Sequence, residues 1–282
     1  MTSWITTSPK KKVTQEPVSY FPYKEGKFTT KTSEATVVSA FYDIPSSLSL
    51  QKRKEKLKQF VEQFPCKLVL FTEQKFANEL ASYREDLKNI TRVVVLERAD
   101  WIANTKFIPA LWSQQVKQDV DLRTSRTAEE FQFGYEKKEF MLKAVQMNPF
   151  KSEDFVWVSP SFIESLSYPV ALEMPDLFPI PAVIPTDRIL VANPEPFKAD
   201  DIASSYFKGK NRISNDIVAG SKKAWEEYSK TYDVVMTQRL KVFAFVGDEL
   251  MNLHYVIIHK PNQFSLIPEP SLLNYLSVPK DI

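Results

Sequence analysis

The chain has 282 residues and a formal net charge of +2, with five Gly, two His and one Cys set against 19 Pro and 20 Phe. A Walker loop, dinucleotide fingerprint or kinase lid needs clustered glycines so that backbone can approach phosphate, and no two of Gly26, Gly134, Gly209, Gly220 and Gly247 lie within ten residues of each other. The lone Cys66 excludes an internal disulfide, His254 and His259 are too few for a Cys/His zinc site, and a charge of +2 spreads no basic field of the kind nucleic-acid binders use.

Hydrophobic residues make up 43% of the chain, enough for a sizeable core. Apolar runs such as 155–158 and 242–246 fall far short of the roughly 20 residues of a membrane span, and the first ten residues have no apolar signal core. The expectation is a cytoplasmic protein with no membrane span and no nucleic-acid partner.

Residues 1–34 are rich in Ser, Thr, Pro and Lys without a period of 2 or 3.6, and read as a partly ordered extension or a strap. Residues 35–43 then read as a strand. Residues 48–64 read as a helix, with Leu50, Leu57, Phe60, Val61 and Phe64 on one side. The run 67–72 is a second strand, 73–87 a helix and 91–96 a third strand. Residues 106–125 read as an irregular or helical connection, 129–147 as a long helix stopped by Pro149, and 155–158 as a fourth strand. Short, β-branched strands, apolar on both faces and alternating with helices, predict an α/β fold with a mainly parallel sheet covered on both sides. Prolines crowd 168–196, which predicts a loop-rich segment with a strand near 188–192. Residues 216–232 contain a predicted helix with Gly220 near its start, 240–246 is apolar again, and 248–258 reads as a buried helix.

Ligands of open parallel sheets sit beyond the carboxyl ends of the strands. Those ends carry Phe41-Tyr42-Asp43, Phe71-Thr72-Glu73, Glu97-Arg98 and Ser159-Pro160-Ser161. Polar and aromatic side chains without a glycine loop suit a nucleotide base and ribose better than a phosphate held by bare backbone.

Six runs appear in a particular order: Thr36 to Ile44, Val69 to Thr72, Leu111 to Gln115, Tyr135 to Lys138 with Asn148 to Phe150, Asp154 to Trp157, and Phe245 to Glu249 followed by Met251-Asn252. This ordered set, spread over residues 35–267, resembles the HtrL/YibB-like family. The resemblance implies a GT-A-like, Rossmann-type three-layer fold and a glycosyltransferase that moves a sugar from a nucleotide diphosphate to a glycan or other hydroxyl acceptor. Residues 35–165 would form the nucleotide-binding half and 166–282 the acceptor-binding half. A non-catalytic module binding nucleotide, glycan or protein is the alternative.

The resemblance also exposes a departure. Ser159 stands where the family has the acidic residue of a DxD-like motif, and a serine hydroxyl is a poor anchor for the Mn²⁺ or Mg²⁺ that neutralises a departing diphosphate. Either the metal is held otherwise, or cationic side chains replace it, or transfer has been lost. A literal DxD at Asp119-Val120-Asp121 follows no apolar strand, so its carboxylates are expected to face water.

The candidate residues follow from both readings. Ser39, Phe41, Tyr42, Asp43, Thr72, Glu73, Trp157 and Ser159 would wall the nucleotide sugar. Lys138, at the family's Lys position, would reach ribose or diphosphate or else face solvent. The basic run Lys208, Lys210 and Arg212 is a source of charge for the diphosphate or a solvated face. Asp248 and Glu249 match the family's Asp-Gln pair and are the catalytic candidates, with Asp248 as base or sugar contact or as a helix cap. Gly220 and Trp225 would border the acceptor, although Trp225 also suits the core, and His259 would supply a late metal contact or merely pack.

Overall fold

The computed structural model describes residues 33–119, 126–165, 178–198, 212–268 and 272–276. Seven strands form one sheet in the order β3-β2-β1-β4-β6-β5-β7. They are β1 (Thr36–Phe41), β2 (Lys67–Thr72), β3 (Thr91–Val95), β4 (Asp154–Val158), β5 (Ile189–Ala192), β6 (Ser214–Ser221) and β7 (Phe264–Ile267). Pairings β1·β2, β2·β3, β1·β4 and β5·β7 are parallel, whereas β6 runs antiparallel to both β4 and β5. The sheet is continuous from residues 36 to 267, so the two halves of the chain share one core.

Strand alternation makes that core two layers. Val38, Ala40, Val69, Phe71, Phe155 and Trp157 face one side. Val37, Phe41, Leu68, Leu70, Val156 and Val158 face the other. The first side is covered by α3 (Ile102–Thr105), α4 (Pro109–Gln118), α5 (Ala128–Met147), α7 (Lys222–Lys241) and α8 (Glu249–His259). The second is covered by α1 (Leu50–Gln63), α2 (Gln74–Ser82), α6 (Pro160–Ser165) and α9 (Leu272–Tyr275). This is the three-layer, mainly parallel α/β arrangement that the alternating runs predict.

Local chemistry sets the helix starts. Thr127 and Glu130 form a reciprocal capping box on α5, Ser221 caps α7 through Ala224 N, and the Asp248 side chain caps α8 through Met251 N at 2.7 Å. Asn148 ends α5 at φ 35°, its amide exchanging hydrogen bonds with Ser152 N and O, which makes it the turn into β4. The centre of the first layer is aromatic: Phe140, fully buried on α5, stacks on Tyr42, Phe71 and Trp157 at 5.0–6.2 Å between centroids. On the other side Arg84 is buried among carbonyls, donating to Val61, Phe64 and Cys66 and to Thr91 Oγ1, and so ties the end of α1 to β2 and β3.

Several elements differ from the sequence reading. Residues 73–87 contain only a short α2 followed by a 3₁₀ stretch over Glu85–Ile90. Residues 106–119 contain α4, whereas 120–125 lie outside the described residues. Gly220 lies in β6, and α7 starts after it and runs on to Lys241. Of the apolar stretch 240–246, Leu240 and Lys241 end α7, and Val242 and Phe243 are exposed in the turn after it, with Phe243 at φ 56°.

Candidate functional site

The chain leaves β1 towards β2 and β3, then crosses back to lay β4 against the other side of β1. The loops that follow β1 and β4 lead into α1 and α6 on the second side of the sheet, where Ser46 Oγ donates to Glu164 Oε2 at 2.9 Å and Arg53 Nε to Glu164 Oε1 at 2.6 Å, so the two loops are joined there, and the carboxyl edge of the sheet runs between their starts. Because β6 is antiparallel to β4, its first residues lie at that same edge, beside the end of β4. The N-terminus of α8 joins them through Glu249 and Asn215, which are hydrogen-bonded to each other.

On the β1–β3 side, Glu73 anchors a charged cluster. Its carboxylate is nearly buried and takes Arg98 Nε at 3.2 Å, Lys75 Nζ at 3.4 Å and the backbone N–H of Asp43 at 3.3 Å. Asp43 itself is exposed and pairs with Lys75 at 3.4 Å. Asp43, Glu73 and Arg98 thus present carboxylate and guanidinium groups at the rim, at the ends of β1, β2 and β3.

The other predicted wall residues lie behind the rim. Ser39 Oγ donates to Val158 O at 2.8 Å and Thr72 Oγ1 to Phe41 O at 2.8 Å, each joining neighbouring strands, and Tyr42 OH donates to Leu96 O at 2.9 Å, reaching from the end of β1 past β2 to the end of β3. Phe41 and Trp157 are buried, the first edge-on to Phe76 and the second stacked on Phe140. Strand alternation carries these side chains into the layers above and below the sheet. Ser159 sits at the rim: its N–H donates to Asp216 O at 2.7 Å, and its hydroxyl lies 2.6 Å from that of Ser161.

On the β4–β6 side, the structure brings Glu249 together with two residues that the sequence reading did not single out. Lys137 Nζ donates to Glu249 Oε1 at 3.0 Å and to Asn215 O at 2.8 Å, while the Asn215 amide donates to Glu249 Oε2. Burial pushes the Glu249 carboxyl above its ordinary range and the neighbouring Asp248 charge adds to the rise, against the opposing pull of Lys137 and Asn215. Gly134, one turn before Lys137, makes the approach possible: a Cβ there would stand 2.9 Å from Glu249 Cβ.

Lys138 turns elsewhere. It is buried against the rings of Tyr135 and Tyr232 and paired with Glu139 and, at 3.1 Å, with Asp233 of α7. Asp248 is also engaged: Oδ1 caps α8 and Oδ2 pairs with Arg126, which holds Asp119 as well. Asp119 is therefore buried in an ion pair rather than facing water, and Asp121 lies outside the described residues.

The remaining candidates are scattered. Gly220 pairs with Phe155 at the start of β4, the opposite edge of the sheet, and Trp225 Nε1 donates to Phe155 O at 3.1 Å from within the core. His259 is exposed at the last turn of α8, about 15 Å from Glu249 at the usual helical rise. Arg212, just before β6, is buried and paired with Glu195, while Lys208 and Lys210 lie outside the described residues.

Sequence periodicity could not separate Lys137 from Lys138, because α5 is covered on most of its circumference and both are buried. Gly134 was the available signal, since an isolated glycine in a helical pattern points to a close neighbour on its own face, the face that Lys137 shares.

No family model matches this chain, and no curated protein sequence does. Among solved structures it is similar to mouse xyloside xylosyltransferase 1 in its apo form, with a TM-score of 0.44 and 8% identity over 83% of this chain and 84% of that one. No helix among the described residues is long and apolar enough to cross a membrane.

Proposed function

We propose that the chain is a GT-A-like glycosyltransferase of the HtrL/YibB-like kind, binding a nucleotide sugar at the carboxyl edge of the sheet and passing the sugar to a hydroxyl acceptor. The observation that carries this reading is the placement of Asp43, Glu73 and Arg98, and of Ser159, Asn215 and Glu249, along one carboxyl edge of the sheet, at the ends of β1–β3 and beside the end of β4. The family-like ordered runs support it independently, since those ending at Ile44, Thr72, Trp157 and Glu249 all reach this edge.

Asp43, Glu73 and Arg98 supply acceptors and donors for base and ribose. Glu249 takes the catalytic role in preference to Asp248, because burial raises the Glu249 carboxyl above its ordinary range, whereas Asp248 caps α8 and is paired with Arg126. In transfer, the acceptor hydroxyl gives its proton to the Glu249 carboxylate, its oxygen bonds to the anomeric carbon, and the bond from that carbon to the diphosphate oxygen breaks. Burial makes that carboxylate a stronger base than an ordinary one. The nucleoside diphosphate departs carrying the negative charge.

The family's divalent metal fits poorly with these residues. Ser159 replaces the carboxylate, no group of three or more His, Cys, Asp and Glu is gathered among the described residues, and His259 is at the far end of α8. No step is routed through a metal here. A second reading, binding without transfer, is favoured by the occupied state of Asp248 and by the ties of Glu249 to Lys137 and Asn215.

Thermal unfolding in the presence of UDP-sugars and GDP-sugars, each with and without Mn²⁺, tests the binding. At a hundred times Kd a true ligand stabilises by about 2.7 kcal/mol. Absence of any shift with every donor overturns the proposal. Release of nucleoside diphosphate on adding an acceptor, abolished by Glu249→Gln, separates transfer from binding alone.

A further inference from the structure

A diphosphate needs positive charge near it, and the end of β4 offers Ser159 where a metal-holding carboxylate is expected. We propose that the ammonium of Lys137 meets the diphosphate, so that this chain binds a nucleoside diphosphate without a divalent cation. The inference rests on the reading of the carboxyl edge given above and names how that site handles charge.

Lys137 is held in place at the edge. Its ammonium lies over the buried Trp157 ring, with Nζ 5.6 Å from the centroid, and is fixed by Asn215 O at 2.8 Å and Glu249 Oε1 at 3.0 Å. An ammonium has three N–H donors. Two are committed to oxygens, and the third has no oxygen acceptor among the described residues. The side chain is 9% exposed, so a charge meeting it is screened little by water and the attraction is correspondingly strong. The hydroxyl of Ser159, paired with that of Ser161 at the end of β4, is a neutral group on the same edge.

The other cations near this edge are committed to protein carboxylates: Lys75 and Arg98 to Glu73, Arg126 to Asp119 and Asp248, and Arg212 to Glu195. Lys138 is turned towards Asp233. Lys137 also has a carboxylate partner, but that partner is Glu249 at the rim itself, so an incoming phosphate joins an existing charge cluster without dismantling a distant one. Gly134 is the precondition, since the missing Cβ lets the first turn of α8 come close enough for the pair to form.

Two contrasting effects follow. Removing the Lys137 charge should weaken nucleoside diphosphate binding. Removing the charge of its partner, by Glu249→Gln, should free the ammonium and tighten it. Restoring a carboxylate by Ser159→Asp should repel the diphosphate unless a metal bridges the two.

The test is calorimetric titration of UDP and GDP in EDTA and in Mn²⁺, with folding of each variant checked by thermal unfolding. The expected results are wild-type affinity that EDTA leaves unchanged, a loss of about tenfold or more for Lys137→Gln, equivalent to 1.4 kcal/mol, recovery in Lys137→Arg, and tighter binding in Glu249→Gln. Ser159→Asp, which leaves Lys137 in place, should bind poorly in EDTA and recover with Mn²⁺. Wild-type binding that appears only with Mn²⁺, or Lys137→Gln and Lys137→Arg binding alike, overturns the inference while leaving the reading of the edge intact. No wild-type binding under either condition overturns the reading of the edge itself.

Discussion

Glu136 lies next to Lys137 on α5 but points into the core, where it is fully buried. Its Oε2 accepts the Ala103 N–H at 3.0 Å, and Oε1 has no partner among the described residues, nor has the nearby indole N–H of Trp101. Burial pushes its carboxyl from an ordinary 4.5 up to about 8, against the opposing pull of the Ala103 N–H. Below the lower value both folded and unfolded chains carry the proton, so the group does not alter stability. Between the two values the unfolded chain ionises while the folded chain stays protonated. The unfolded state then binds fewer protons, and stability falls as pH rises, by up to about 1.4 kcal/mol per pH unit. Above about 8 the loss is complete and amounts to about 5 kcal/mol. Glu136→Gln keeps the carbonyl acceptor for Ala103 and cannot ionise. Urea unfolding of both proteins from pH 4.5 to 9 should show similar stability at the acid end and a variant that pulls ahead through the window, reaching several kcal/mol at pH 9. Parallel curves across that range would refute the argument, because they would mean that the folded chain ionises Glu136 as readily as the unfolded one.

Two further tests probe the scaffold and the site. Arg84→Met should fit the space but leave the carbonyls of Val61, Phe64 and Cys66 without their donor; a loss of about 3 kcal/mol or more in chemical denaturation is expected, and a loss below 1 kcal/mol would contradict the assigned role. Asp248→Ala removes the α8 cap and one Arg126 partner, so it should lower stability by about 1–2 kcal/mol yet retain nucleoside diphosphate release measurably above that of Glu249→Gln. Equal, complete loss in both variants would return the catalytic role to Asp248.

Much of the stretch 35–165 is legible in the sequence. The runs 67–72 and 91–96 and the helix over 129–147 stand out because β-branched apolar stretches and a long amphipathic pattern leave few alternatives. Strand β6 does not, because its first residues, Ser214-Asn215-Asp216, are polar and a glycine sits near its end. Those polar residues belong to the carboxyl edge, so the feature that hides the strand is the one that makes it part of the site. Strand β7, four residues at the edge of the sheet, carries too little pattern to be seen.

Side-chain direction is the second thing that the sequence leaves open. Ser39, Tyr42 and Thr72 lie in or just after strands, near the edge where ligands gather, but their hydroxyls tie the strands of the sheet together. Lys138 and Lys137 differ by one residue, or about 100° of helix rotation, which turns the first towards Asp233 and the second towards Glu249.

By itself, then, the sequence determined the alternation of apolar strands and helices, the absence of a phosphate-cradling glycine loop, and the strand ends where chemistry could collect. These follow from local spacing and residue type, which act over a few residues. Only the tertiary structure decided that β6 runs backwards beside β4, that Asp248 is spent on a cap and an ion pair, and that Lys137, Asn215 and Glu249 meet. Those contacts join residues between 34 and 122 positions apart, and their geometry depends on how α5 and α8 settle on the sheet. Gly134 sets that settlement through an atom it lacks.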